Sequence, residues 1–164
     1  MALSDVKARL AQIALRAPIP AAAGGDAAAA PSPVPVIEAP HEARGVDLDV
    51  TIPPERVPDA ARLLDGEGFM LEAITGVDWL AEGQIEIVYD YTLPASGVRV
   101  AVRARVPRDK PELPTLSGLH PGANWHEREA HDFFGVVFTG HPDVTPLLLP
   151  EDADFHPLRK DYSA

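Results

Sequence analysis

Residues 124–135, NWHEREAHDFFG, set two histidines (His126 and His131), three carboxylates (Glu127, Glu129 and Asp132) and Arg128 between Trp125 and the pair Phe133 and Phe134. Side chains of these types can ligate a metal, exchange protons, or fix a contact with another protein. A zinc hydrolase of the HExxH type spaces its histidines four apart, so that both reach one metal from one helical face. His126 and His131 are five apart, about 140° around a helix of 3.6 residues per turn, so that motif is absent. Glu127 with His131, and Arg128 with Asp132, do have four-residue spacing, but on a helix surface such pairs are worth only about 0.2–0.5 kcal/mol. A glycosidase-like pair can be drawn from the three acids of any such helix. The nearby Ser117 lacks the glycine elbow of a serine nucleophile, and no glycine-rich phosphate loop precedes a helix. Two readings stay open: an independent metal or acid/base enzyme using His126 and His131, or a rigid interaction helix ended by Gly135 and followed by the strand-like Val136, Val137 and Phe138.

The composition narrows the choice. A chain of 164 residues and 17.5 kDa, 46% hydrophobic, suits one domain with a core. A net charge of -11 and a pI near 4.8 argue against nucleic acid or an anionic membrane as the partner of a basic face, and favour a basic protein partner. The chain has no cysteine, hence no disulfide, no thiol nucleophile and no thiolate for an iron-sulfur cluster. A cluster that this protein serves must sit in another chain. The apolar run PLLLP at 146–150 is far shorter than the roughly 20 residues of a spanning helix. The N-terminal MALSDVKARLAQIALRA carries charges inside its apolar part, so no export signal and a cytoplasmic location are expected.

The elements that must position the charged stretch are legible upstream. Residues 1–16 read as an amphipathic helix with Leu3, Val6, Leu10 and Ile13 on one stripe, and 17–43 as an Ala/Pro-rich flexible linker. A domain then spans 44–164. Alternation at Val46, Leu48, Val50 and Ile52 predicts a strand, and Pro53 and Pro54 open a helix over Glu55–Asp65 that Gly66 and Gly68 end. Phe69–Leu80 is expected to be extended, and Ile85–Tyr91 and Val98–Val106 form strands joined as a hairpin by PASG at 94–97. Arg99, Arg103 and Arg105 share one face of the last strand, which reads as a solvated surface, with partner binding as the sharper alternative. The expected class is α/β (α+β): a small mixed or mainly antiparallel sheet with packed helices.

The run ANWHEREAHDFFGVVFTGHPD, followed by LLLPEDADFHPLRKDY, resembles the signature region of the 30-kDa subunit family of respiratory complex I, the C-subunit family of bacterial NADH-quinone oxidoreductase. The match falls on Glu127, Arg128, Glu129, Asp132, Gly135, Gly140, His141, Pro142, Asp143, Pro150, Glu151, Asp152 and the closing Pro157, Leu158, Arg159, Lys160 and Asp161. The hairpin, VRVAVRARVPRD and PTLSGLHPGANW also look like that family, which extends the resemblance from about Val46 to the end. One departure is that Thr145 and Pro146 follow GHPD where the family usually has basic residues.

The resemblance implies a cofactor-free structural subunit of the peripheral arm. Iron-sulfur clusters, and a flavin or nickel-iron centre, would lie in partner chains: the large 49-kDa-like subunit and the small 4Fe-4S subunit. It implies association with the cytoplasmic face of the membrane through the complex alone. Its partner contacts would be Glu127, Arg128, Glu129, Asp132, His141, Asp143, Arg159, Lys160 and Asp161. Homologous subunits of energy-converting hydrogenases and formate hydrogenlyase-type complexes are the alternative setting.

Overall fold

The computed structural model describes residues 3–14, 37–39 and 41–163. Helix α1 (Leu3–Ala14) buries Val6, Leu10 and Ala14, one residue per turn, against the helix Val57–Gly66 and the strand Leu48–Thr51. Of the stripe read from the sequence, Val6 and Leu10 are buried in the chain's own core and Ile13 packs partly against it, while Leu3 is exposed. Strand β1 (Ile37–Glu38) and the single-turn helix α2 (His41–Arg44) fall inside the stretch expected to be linker, so regular structure begins before residue 44. Backbone pairing decides this: β1 adds an antiparallel edge to β2 (Leu48–Thr51) although its sequence carries no alternation. The rest of the linker reading, 17–36 and 40, lies outside the described residues.

After β2 the chain turns through a 3-10 segment (Pro54–Arg56) into α3 (Val57–Gly66), whose inner face holds Val57, Ala60, Ala61 and Leu64. Strands β3 (Met70–Trp79), β4 (Gln84–Leu93) and β5 (Val98–Pro107) follow, then β6 (Glu112–Pro114), α4 (Ala123–Phe134) and β7 (Val137–Thr139). The main sheet has the order β1-β2-β5-β4-β3, with β2 parallel to β5 and the other pairs antiparallel. A second, two-stranded parallel sheet joins β6 to β7. The mixed α+β fold is as expected.

Register explains the core. Ile85, Ile87, Tyr89 and Tyr91 lie opposite Val106, Ala104, Val102 and Val100, and all eight are buried under the helices. On β3 the same inward parity carries Ile74, Gly76 and Asp78. Gly76 is required by closeness: a β-carbon there would collide with the Phe134 ring on α4, so its absence lets helix and sheet approach.

The opposite face corrects the reading of the arginine row. Arg103 donates to Asp49 at 2.7 Å and to Glu86 at 3.2 Å, Arg105 donates to Glu86 at 2.9 Å and Glu82 at 2.7 Å, and its guanidinium lies 4.6 Å from the Trp79 ring centroid. Asp49 and Glu86 are buried beneath these arginines. The face is an ion-pair lattice rather than loose solvated charge, because Glu86 lies directly opposite Arg105 and Arg103 reaches Asp49 and Glu86 as diagonal neighbours.

Candidate partner-docking interface

Helix α4 buries Ala123, Glu127, Ala130 and Phe134, a stripe at helical spacing that includes a carboxylate. Glu127 is fully buried. It accepts hydrogen bonds from the Thr115 hydroxyl at 2.5 Å and the Leu116 amide at 2.6 Å, with His141 Nε2 at 3.7 Å. Burial pushes the Glu127 carboxyl above the ordinary range, against the lowering pull of Thr115, Leu116 and His141. The Asp143 amide donates to His141 Nδ1 at 3.1 Å, which leaves His141 Nε2–H to donate to the Asn124 carbonyl at 3.3 Å. Glu127 thus pins the 115–116 turn and the GHPD turn onto one face of α4.

Past that turn the chain runs back over α4 as an irregular strap, residues 144–162, fixed at three places. Arg128 Nε donates to the Thr145 carbonyl at 2.9 Å and Nη2 to the Pro146 carbonyl at 3.1 Å, while Asp143 lies 3.4 Å from Nη1. Thr145 and Pro146 hold the strap through backbone oxygens, and Asp143 supplies the ion pair of that turn, so basic side chains are not needed there. Hydrogen bonds from the Thr145 hydroxyl and amide draw the Asp143 carboxyl below its usual range. Next, Asp132 Oδ2 accepts the amides of Leu147, Leu148 and Leu149 at 2.9, 2.7 and 3.1 Å. One buried carboxylate satisfies three consecutive donors that no helix or sheet serves.

The third fixing point is the end of α4 itself. A helix leaves its last carbonyls unpaired. Here Gly135, in the left-handed conformation at φ 73°, returns its amide to His131 O. His156 Nδ1 donates to Asp132 O at 2.9 Å, the Leu158 amide to Phe133 O at 3.2 Å, and Arg159 Nε to Phe134 O at 2.8 Å. The PLRKDY segment is therefore a C-terminal helix cap supplied from about 25 residues downstream. Its end is tied to the sheet: Asp78 accepts the Lys160 amide at 2.8 Å and both arms of Arg108, and Arg108 also pairs with Asp161. Burial pushes the Asp78 carboxyl up, but the bonds from Arg108 and Lys160 outweigh it and hold it low; Arg108 does the same for Asp161. Burial and the neighbouring Arg108 lower Arg159.

These positions show how the residues of the expected contact set are held within the chain. Glu127 and Asp132 have no surface to give a partner, because each is buried and bonded within the chain. Arg128, His141, Asp143, Arg159 and Asp161 are likewise engaged internally, and only Glu129 and Lys160 remain exposed side chains without such a tie. His126 and His131 are not gathered into a site: His131 Nδ1 donates to the Val136 carbonyl at 2.9 Å, and among the described residues no group of three His, Asp or Glu side chains is placed to hold a metal.

The clamped strap holds several large apolar side chains outward. Val144 and Leu148 are 69% and 60% exposed, Leu158 is exposed, and Phe155 stacks on Tyr162 with ring centroids 5.5 Å apart. Trp125 and Val137 are exposed beside its start, where Val137 and Val144 line one small pocket with Arg128. Exposed Glu129, Glu151, Asp152 and Asp154 accompany them. Asp78, Arg108, Thr115 and His156 were missed as contributors. An aspartate at an inward position of an alternating strand was the available signal for Asp78.

Comparison with known proteins gives a consistent answer. The family described as "Respiratory-chain NADH dehydrogenase, 30 Kd subunit" matches residues 50–164. The NADH-quinone oxidoreductase C-subunit of Roseiflexus sp. (strain RS-1) is 45% identical over 125 residues, covering 73% of this chain and 71% of the relative. NADH-quinone oxidoreductase subunit 5 of Thermus thermophilus is 41% identical over 127 residues, covering 71% of this chain and 61% of that one. Among solved structures, a chain of the membrane-bound sulfane sulfur reductase, an archaeal respiratory membrane complex, superposes with a TM-score of 0.65 at 34% identity, over 71% of each chain. A trypsin-resistant fragment of Nqo5 superposes with a TM-score of 0.54 at 38% identity, over 58% of this chain and 81% of the fragment.

Proposed function

The chain belongs to the 30 Kd subunit family of the respiratory-chain NADH dehydrogenase, and from that premise we propose that it is a cofactor-free structural subunit in the peripheral arm of a membrane-associated NADH-quinone oxidoreductase. In this role it supports electron transfer from NADH to quinone coupled to proton translocation, without performing chemistry itself. The observation that carries the reading is the division of labour in the C-terminal third: Glu127, Arg128, Asp132 and Arg159 are consumed in clamping the strap, and apolar side chains are held outward on it beside the exposed Glu129, Glu151, Asp152 and Lys160. A rigid, preorganised apolar surface is what a subunit interface needs, since little ordering entropy remains to be lost on docking.

The partners in this reading are the large subunit and the small 4Fe-4S subunit of the same complex. Iron-sulfur clusters and flavin lie in partner chains, in keeping with the lack of cysteine here. In this reading attachment at the cytoplasmic face runs through the complex; no helix among the described residues is long and apolar enough to cross a membrane. The likeness to a chain of the sulfane sulfur reductase complex favours one second reading, an equivalent subunit of a related complex, such as an energy-converting hydrogenase or formate hydrogenlyase, with another donor and acceptor.

An affinity tag on the N-terminus, native isolation from membranes and mass spectrometry of the partners test both. Co-isolation with flavin- and NADH-binding subunits supports the first reading, and a nickel-iron large subunit without them supports the second. Recovery of the chain alone contradicts both.

A further inference from the structure

Away from the strap, a groove of about 340 Å3 runs between α1 and α3. Arg9 lines it from α1, Arg56 from the 3-10 segment, and Asp59 and Arg62 from α3, with Ile13 and Leu63 as apolar wall. Arg56 Nη1 forms an ion pair with Asp59 Oδ2 at 2.8 Å, while Arg62 Nη1 donates to Asp59 Oδ1 at 3.0 Å and Arg9 Nη1 to Glu67 Oε1 at 3.1 Å. Each arginine thus spends one nitrogen on an acid, whereas a guanidinium carries five N–H donors in a rigid fork. Arg56 Nε is buried and finds no partner among the described residues. Asp59 has committed both oxygens and is the one carboxylate lining the groove beside three guanidinium groups, with Glu67 pairing Arg9 from outside that lining, in a chain whose net charge is -11.

The geometry points to this groove as a binding site for a phosphate group, held jointly by Arg9, Arg56 and Arg62. A carboxylate has two oxygens in one plane and saturates about one guanidinium fork; three forks from separate elements suit a tetrahedral anion with several acceptor oxygens. The α3 N-terminus, which has no side-chain cap, adds positive potential at the same end. The volume suits a small phosphorylated ligand or a phospholipid headgroup, with Ile13 and Leu63 against its apolar part. The site is independent of the subunit role proposed above.

The test uses the full chain, isotope-labelled, in NMR titrations with inorganic phosphate and pyrophosphate, together with co-sedimentation on phosphatidylglycerol or phosphatidylcholine vesicles. Saturable shifts are expected at the Arg9, Arg56 and Arg62 side-chain Nε–H groups and the Asp59 and Ala60 amides, with Leu147–Leu149 unmoved. Arg56→Gln/Arg62→Gln should weaken binding at least about 10-fold. Asp59→Asn should tighten it several-fold, a sign that loss of structure would not produce. Pyrophosphate binding without vesicle binding identifies a soluble phosphate; Arg-dependent retention on phosphatidylglycerol vesicles alone identifies a headgroup. Both support the site. No shift at about 10 mM pyrophosphate together with no vesicle binding, an unaffected double variant, or weaker binding by Asp59→Asn overturns it.

Discussion

Asp132 lies beneath Leu148: its Oδ2 accepts the Leu148 amide at 2.7 Å while the Leu148 side chain is 60% exposed. The two residues divide the work of the C-terminal third, the acid fixing the backbone and the leucine offering apolar surface. Asp132→Ala leaves the amides of Leu147, Leu148 and Leu149 without their shared acceptor, where each unsatisfied buried donor costs about 1–3 kcal/mol and water recovers part of that for a half-exposed strap. A loss of about 2–4 kcal/mol in urea unfolding is expected, with faster hydrogen exchange confined first to 147–149.

Asp78 and Asp161 give the tail its pH dependence. Both carboxyls are held below their ordinary values in the folded chain, so their stabilisation is present above the unfolded value of about 3.9 and is lost as pH falls through the folded one. Protection factors at 158–162, taken relative to the intrinsic exchange rate at each pH, should therefore fall below about pH 4, before those of the β4/β5 core. Asp78→Asn should show the released tail already at neutral pH.

Glu127 has the opposite sign. Its carboxyl is raised in the fold, so the wild-type chain is favoured below the unfolded value of about 4.3 and loses stability as pH rises through the folded one. Glu127→Gln keeps an acceptor for the Leu116 amide and removes the buried charge. Its stability relative to wild type should rise with pH across that window, measured by thermal unfolding at a series of pH values; a flat difference contradicts the assignment.

Gly76 tests the approach of α4 to β3. Gly76→Ala drives a methyl group into the Phe134 ring, and overpacking of this kind costs about 1–3 kcal/mol. Phe134→Leu should be less damaging in the Gly76→Ala background than alone, read as a favourable coupling energy in a double-mutant cycle.

Much of this was legible beforehand, and the exceptions have physical causes. Alternation at Ile85–Tyr91 and Val98–Val106 marks strands because one face is buried and the other is not, and Gly135 marks the end of α4 because it alone tolerates the left-handed cap. Strand β1 left no trace, since two residues pairing at an edge need no pattern. Glu127 and Asp132 read as surface because isolated acids usually are. Yet Ala123, Glu127, Ala130 and Phe134 already lie on one helical stripe, which is the signal that Glu127 points inward. The long-range cap at Phe133 O and Phe134 O was beyond pattern reading, because its donors come from Leu158 and Arg159.

The central claim is that the exposed apolar side chains of the strap, rather than its polar signature, dock the chain into its complex. Leu148→Asp/Leu158→Asp changes two exposed positions and should alter the unfolding free energy of the isolated chain by no more than about 1 kcal/mol. The measurement is the fraction of tagged full-length protein that co-isolates with iron-sulfur partner subunits from membranes, wild type against this double variant. A drop of at least about 10-fold with the fold intact is the predicted result. Equal recovery of partners by the folded variant would contradict the claim.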